Sequence, residues 1–227
     1  MKNQYFGDNR DLFKYDLIYQ IIQAGLVKHF MFIPMLTKND DTGQGGVANR
    51  DKAKAGKQNK ELVNFLDKYV NENKRDVKQL KSFFEKKTIK TTIYEKDFCH
   101  ERRDEYFEEI GNKLLTKSLV FVDPDIGLEV KRLREKHIRY KEVQYLCKRM
   151  DKSSVLMIFQ FIPREKRETC LRRISKRLKE EAGNLPIYIS DNQVVFFFLA
   201  KDNFLRESLG KEISNYGETH HLRVEIT

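Results

Sequence analysis

The sequence predicts a single α/β domain over residues 1–227, a Rossmann-like fold with a mainly parallel seven-stranded sheet and a C-terminal antiparallel hairpin. Three observations support this prediction. Short apolar runs of strand length alternate with stretches of helical period. The chain is 40% hydrophobic and 11% aromatic, which provides enough large apolar surface for a core. With roughly 100 to 200 residues per domain, 227 residues allow one domain of good size.

The elements follow one another along the whole chain. The apolar spacing predicts helices over 11–24, 59–86 (two helices, or one broken near 71–73), 101–115, 141–150 and 164–181. β-branched and continuous apolar runs predict strands over 29–36, 91–94, 118–122, 154–162, 186–190, 194–200 and 221–226. The polar, glycine-containing stretch 37–58 predicts a mobile loop. Residues 191–193 join two of the strands as a hairpin.

Several classes of protein are disfavoured. The longest apolar runs, 155–162 and 194–200, are shorter than the roughly 20 residues of a membrane-spanning helix. The first residues lack the apolar core of a secretory signal. Cys99, Cys147 and Cys170 are odd in number and far apart, which argues against a disulfide framework. We therefore expect a cytoplasmic protein with reduced thiols and no membrane partner.

The charge balance indicates a polyanionic partner. The 44 Lys and Arg residues exceed the 34 Asp and Glu residues, and the formal net charge is +10. Basic residues concentrate in 131–149 and 164–179, after two of the most apolar predicted strands. Such a surface attracts DNA or RNA. The expected nucleic-acid contacts are Arg10, Lys131, Arg132 and Arg164.

The first candidate for chemistry is Asp123-Pro124-Asp125, directly after the continuous apolar strand 118–122. Ligands of open α/β sheets bind outside the carboxyl ends of the strands, and the proline stiffens the exit. The alternative is an acidic turn that only ends a strand. We expect Asp123 and Asp125 to be catalytic.

The second candidate is the segment 5–16, where aromatic residues, a glycine and alternating charges precede the first strand. Lys14 follows Asp11 by three residues and so shares its helix face, from which it can reach a phosphate or a catalytic carboxylate. The alternative is a capped surface helix in which Asp11 only favours the N-terminal dipole.

The runs GDNRDLFKYDLIYQII, KSLVFVDPDIGLE and SVLMIFQFIPR resemble, in order and spacing, motifs of the bacterial 23S ribosomal RNA adenine methyltransferases of the RlmJ family. The resemblance implies an S-adenosylmethionine-dependent methyltransferase fold and adenine-type N-methylation. It places Asp123 at the catalytic acid, Lys14 at the lysine of the leading helix and Asp97 at the acid that contacts the cofactor's adenosine. Thr37 and Pro124 complete the expected cofactor contacts.

The chain departs from this family in two places. Asp-Pro-Asp-Ile at 123–126 lacks the aromatic residue that stacks on a flipped base in amino-methylating enzymes. The first strand runs into Pro34-Met35-Leu36-Thr37, and glycines occur only later, at Gly43, Gly45 and Gly46.

Two alternative functions use the same residues. Asp123, Asp125 and Glu129, followed by Lys131, resemble the carboxylate and lysine set of Mg²⁺-dependent nucleases, although only three residues separate Asp125 from Glu129. The third alternative is a non-catalytic nucleic-acid-binding relative.

Overall fold

In the computed structural model, a seven-stranded sheet separates two layers of helices, and residues 1–40, 48–130, 134–163 and 165–226 are described. The helices are α1 (Asn9–Gln23), α2 (Lys60–Asn71), α3 (Leu80–Lys86), α4 (Arg103–Glu108), α5 (Tyr140–Arg149), α6 (Arg167–Ala182) and α7 (Asn203–His220). The strands are β1 (His29–Ile33), β2 (Lys90–Ile93), β3 (Ser118–Val122), β4 (Gly127–Leu128), β5 (His137–Ile138), β6 (Val155–Phe161), β7 (Ile187–Ser190), β8 (Val194–Ala200) and β9 (Arg223–Ile226).

The strand order of the main sheet is β2-β1-β3-β6-β8-β7-β9. The α/β class, the seven strands and the antiparallel β7–β8 hairpin predicted from the sequence are confirmed. The expectation of a mainly parallel sheet needs correction, because the parallel pairing is confined to β2, β1, β3 and β6. β8 lies between β6 and β7 and runs against both, and β9 is antiparallel to β7, so the sheet is mixed.

The central strands are buried on both faces, as their continuous apolar runs indicate. All five residues of β1 and of β3 are buried. In β6, Met157 and Phe159 face the layer that contains α1, whereas Leu156 and Ile158 face the opposite layer. The alternation of β6 therefore decides which of its side chains reach α1.

Helix α1 is fixed at both ends by local chemistry. The Asp8 side chain accepts hydrogen bonds from the backbone N–H groups of Arg10 and Asp11 and caps the helix. The chain leaves the helix through Ala24 and Gly25, and Gly25 has a φ of 76°, which glycine adopts without steric cost. The predicted helix over 11–24 is confirmed and begins two residues earlier.

Three features of the fold differ from the sequence prediction. The helix predicted over 101–115 is the shorter α4, followed by a separate 3₁₀ turn at Asn112–Leu115. The small β4–β5 ribbon was not predicted. Helix α7 was not predicted either, although Leu205, Leu209 and Ile213 are buried at helical spacing. Its Gly217 lets β9 approach, because a Cβ there would lie 2.3 Å from the side chain of Val224.

Residues 41–47, the centre of the predicted mobile loop 37–58, lie outside the described residues. The flanking part is described and packs on α1 and α2. Ala55 is fully buried, and Arg50 donates hydrogen bonds to Asp67 and to the carbonyl of Gly7. None of the described helices has the length and apolar character needed to cross a membrane.

Candidate functional site

The strand order reverses at β1, which has β2 on one side and β3 on the other. Open α/β sheets bind ligands in the crevice beside such a reversal, outside the carboxyl ends of the strands. A cavity of about 280 Å³ lies at this end of the sheet, between the start of α1 and the ends of β3 and β6. We call it the α1–β3–β6 pocket. Its walls are formed by Met1, Tyr5, Asp8, Arg10, Asp11, Lys14, Asp123, Pro124, Asp125, Phe159 and Phe161.

Lys14 is the central cation of the pocket floor. Its Nζ lies 2.7 Å from Oδ2 of Asp123 and 3.0 Å from Oδ1 of Asp11, and its side chain is only 5% exposed. The ammonium also lies 4.8 Å from the centre of the Phe159 ring. Burial acts to lower the pKa of Lys14, but the carboxylates of Asp11, Asp123 and Asp8 outweigh it and raise the pKa above its ordinary value. Lys14 is therefore a fixed positive charge.

Asp123 is the first residue after β3 and is 1% exposed. Burial raises the pKa of its carboxyl group, while the charge and hydrogen bond of Lys14 act in the opposite direction. A carboxylate offers about four lone-pair directions, and the Lys14 contact uses one of them. The group can therefore accept a further hydrogen bond from a ligand in the pocket.

Asp8 and Asp11 form the acidic wall contributed by the start of α1. Asp8 caps the helix, and Asp11 accepts a hydrogen bond from the backbone N–H of Gly7 at 2.8 Å. Burial and the nearby charge of Asp11 raise the pKa of Asp8 from 3.8 to about 6. The floor thus holds three carboxyl groups around one lysine, counting Asp123.

Aromatic side chains and an arginine form the outer part of the pocket. Phe159 and Phe161 alternate with a residue of the opposite face, so both project toward α1. The guanidinium of Arg10 lies 4.8 Å from the centre of the Phe161 ring, and its Nη1 lies 3.3 Å from Oδ2 of Asp8. Arg10 is thereby held beside an aromatic face and remains partly exposed.

The chain after Asp123 turns away from the pocket at Gly127, whose backbone conformation other residues rarely adopt. Gly127 has a φ of 140°, and a Cβ there would lie 2.3 Å from the side-chain oxygen of Gln160. That oxygen accepts a hydrogen bond from the backbone N–H of Leu128 at 2.7 Å. Asp125 stays at the pocket and pairs with Lys136 at 3.4 Å, whereas Glu129 pairs with Arg177 of α6 at 2.8 Å.

The structure brings together several, but not all, of the site residues predicted from the sequence. Five of them line the pocket, namely Arg10, Lys14, Asp123, Pro124 and Asp125. Thr37 and Asp97 lie elsewhere: the Thr37 N–H donates to the carbonyl of Met1 at 3.0 Å, and Asp97 forms a β-bridge with Leu36 after β2. Lys131, Arg132 and Arg164 lie outside the described residues.

The described residues do not fit S-adenosylmethionine at the place the resemblance assigns to it. Met35 and Leu36, which follow β1, and Met1 beside them are at most 4% exposed, so their side chains present little open surface to a cofactor. The nitrogen of Met1 lies 3.0 Å from the carbonyl oxygen of Met35. The glycines at 43, 45 and 46, which would let backbone approach a cofactor, lie outside the described residues.

Of the three carboxylates of the expected Mg²⁺ site, Asp123 and Asp125 line the α1–β3–β6 pocket, whereas Glu129 does not. Each of the three has a cationic partner in the described part of the chain: Asp123 pairs with Lys14, and Asp125 and Glu129 pair with Lys136 and Arg177. Among the described residues, no group of three or more His, Cys, Asp or Glu side chains is placed to hold a metal ion.

Six contributors to the pocket were not among the site residues predicted from the sequence, namely Met1, Tyr5, Asp8, Asp11, Phe159 and Phe161. A signal existed for the two acids, because both lie in the segment 5–16 and Asp11 precedes Lys14 by three residues on the same helix face. No comparable signal existed for the two phenylalanines, since period-2 alternation does not tell which face of a strand meets α1.

In comparisons with known proteins, no family model, no curated protein and no solved structure matches the chain.

Proposed function

We propose that this chain is a nucleic-acid-directed protein that takes a single unstacked nucleobase of DNA or RNA into the α1–β3–β6 pocket. In this proposal, Asp123 accepts a hydrogen bond from the exocyclic amine of the base, adenine being the base that the family resemblance favours. The observation that carries the proposal is the buried Asp123–Lys14 pair, 2.7 Å apart, at the floor of a cavity with aromatic walls.

The size of the pocket favours one ring system. Sites for small molecules and cofactors usually occupy about 300 to 1,000 Å³. At about 280 Å³, the pocket lies just below this range, so it suits a single base better than a dinucleotide-sized ligand.

The charge of the floor favours an amine over a phosphate. Asp11 and Asp123 share the single ammonium of Lys14, so a hydrogen-bond donor at the floor finds carboxylate oxygens that can accept from it. The ammonium of Lys14 has three hydrogens, of which Asp11 and Asp123 take two. The third can be donated to a ring nitrogen beside the amine.

The mouth of the pocket supplies groups of the kind that hold an extruded base. Flipped bases stack on aromatic or apolar side chains while their Watson–Crick edge is read by hydrogen bonds. Phe159, Phe161 and Tyr5 are the aromatic residues of the wall, and the partly exposed Arg10 guanidinium can contact a flanking phosphate.

The family resemblance adds an activity to this proposal, namely methylation of the exocyclic nitrogen of adenine by a Rossmann-like fold. The support for this activity is the sequence resemblance. Met35 and Leu36, which follow β1 where the resemblance places the cofactor, are at most 4% exposed. Calorimetry with S-adenosylmethionine tests this part of the proposal. Binding heat from folded protein would support a methyltransferase, and none at high ligand concentration would leave a base-binding protein without methyl transfer.

Binding of fluorescent single-stranded oligonucleotides by matched variants tests the base pocket. Phe161→Ala should weaken binding by about 1–3 kcal/mol, the range for one stacked base, whereas Phe204→Ala, at a ring 79% exposed on α7, should not. Asp123→Asn should also weaken binding, with Asp104→Asn as the control at an exposed carboxylate. Equal affinities across all four variants would contradict the proposal.

A further inference from the structure

A second cavity, of about 590 Å³, lies between α6 and the sheet edge formed by β7 and β9. We call it the α6–β9 groove. Its wall includes Arg172, Ser175, Lys176, Lys179, Tyr188 and Arg223. The groove is on the α6 side of the sheet, and none of its wall residues is shared with the α1–β3–β6 pocket.

The groove is basic along one side of α6. Arg172, Lys176 and Lys179 are spaced by four and three residues and therefore project from one helix face, where all three are exposed. Arg223 of β9 adds a fourth cation from the opposite wall. The two acids of the wall are Glu168, which pairs with Arg223 at 3.3 Å, and Glu225. The cations therefore outnumber the acids by two.

A buried polar group points to a ligand independently of this charge. Ser175 is 7% exposed and lines the groove, and its hydroxyl has no hydrogen-bond partner among the described residues. Buried polar groups ordinarily have hydrogen-bond partners, so the lone hydroxyl of Ser175 in the wall of a basic groove leaves a donor for a ligand oxygen. Tyr188, 6% exposed, adds an aromatic side chain to the same wall.

Polar side chains connect the groove with the α1–β3–β6 pocket across the β7–β8 hairpin. Nη2 of Arg10 lies 3.4 Å from the side-chain oxygen of Gln193. On the far side of the turn, Arg167 donates to Asn192 at 3.5 Å and to the hydroxyl of Ser190 at 2.6 Å. Ser190 lies opposite Arg223 in the β7–β9 pairing, so the path reaches the groove wall.

We infer that the α6–β9 groove binds the phosphate backbone of the nucleic acid strand whose base enters the α1–β3–β6 pocket. This inference rests on the proposed function. The strand passes from Arg10 over the hairpin and lies along α6, where Arg172, Lys176 and Lys179 contact successive phosphates and Ser175 donates to a phosphate oxygen. Because the contacts are to the backbone, they add affinity without base preference.

The test measures the affinity of a long single-stranded oligonucleotide as a function of salt concentration. The groove variant Arg172→Gln/Lys179→Gln should bind on the order of tenfold more weakly at low salt, and the slope of log affinity against log salt should fall by about 1 to 2. The control Lys60→Gln/Lys211→Gln removes the same charge from exposed sites on α2 and α7 and should behave like wild type.

The possible outcomes separate this inference from the proposed function. If the groove variant matches the control while Phe161→Ala weakens binding, the groove assignment is wrong and the base pocket stands. If the groove variant weakens binding while Phe161→Ala does not, the groove binds the backbone, but the base pocket and the path between the two sites are wrong. Failure of wild-type protein to bind any oligonucleotide at low salt would overturn both.

Discussion

The α1–β3–β6 pocket and the α6–β9 groove contain similar residue types in opposite environments. In the pocket, Asp11, Lys14 and Asp123 are at most 4% exposed, and the two carboxyl groups share the one ammonium. In the groove, Arg172 and Lys179 are exposed, and the charge of the wall is mainly positive. Buried charges depend on their partners for stability, whereas exposed charges act on distant anions and are screened by salt. The net charge of +10 therefore says little about the chemistry of the pocket.

Removing the central cation of the pocket should have the largest effect. Lys14→Met leaves Asp11 and Asp123 buried without their cation, and breaking a buried pair from one side costs about 3–5 kcal/mol. Denaturant unfolding measures this loss. Lys81→Met is the control, since its pair with Glu85 is about half exposed, and it should change the free energy of unfolding by less than about 1 kcal/mol. Equal effects of the two variants would contradict the comparison.

A buried ion pair outside the pocket tests whether a loss of stability by itself weakens oligonucleotide binding. Arg103 pairs with Glu142 on the other side of the sheet and donates to the carbonyl of His137 at 2.8 Å. Arg103→Met should therefore also lower the free energy of unfolding by about 3–5 kcal/mol. Oligonucleotide affinity, measured where the variant remains folded, should match wild type. Loss of affinity in the folded variant would show that binding follows general stability rather than the pocket.

The raised pKa of Asp8 should make stability depend on pH with a defined sign. The folded protein holds the Asp8 proton more tightly than the unfolded chain, so this contribution is fully present below pH 3.8 and is lost as pH rises to about 6. Asp8→Asn keeps a capping side chain but cannot ionise. At pH 7.5 it should be more stable than wild type by about 2–3 kcal/mol, given about 1.4 kcal/mol per pKa unit, and near pH 4 the difference should disappear. Urea unfolding at the two pH values checks this, and a gain that persists unchanged at pH 4 would oppose it.

The smallest effect on stability is expected in the groove. Lys176 forms a largely exposed pair with Glu180 at 3.8 Å on one helix face. Lys176→Met should change the free energy of unfolding by no more than about 0.5 kcal/mol. Thermal unfolding, followed by circular dichroism, measures this change. A large loss of stability would mean that the groove cations hold the fold together and would remove the distinction between the two regions.

The sequence predicts the elements better than it predicts their neighbours in space. Lys14 shares a helix face with Asp11 and reaches the carboxylate of Asp123, and the sequence indicates both because helical spacing and strand ends are local properties. The proximity of Glu129 to Asp125 along the chain was misleading, since Gly127 turns the chain and directs Glu129 to α6. The position of β8 inside the sheet depends on long-range pairing, which no local pattern encodes.

The most direct test of the central claim compares three oligonucleotides that differ at one position, measured with wild-type protein at one salt concentration. One carries adenine, the second a purine without the 6-amino group, and the third an abasic site. If the amine is held by Asp123 and the ring by Phe159 and Phe161, adenine should bind tightest, followed by the purine and then the abasic strand. Each of the two steps should weaken binding by about 1–3 kcal/mol, the first through the lost hydrogen bond and the second through the lost stacking. Equal affinities for all three would contradict the claim that the pocket holds a base.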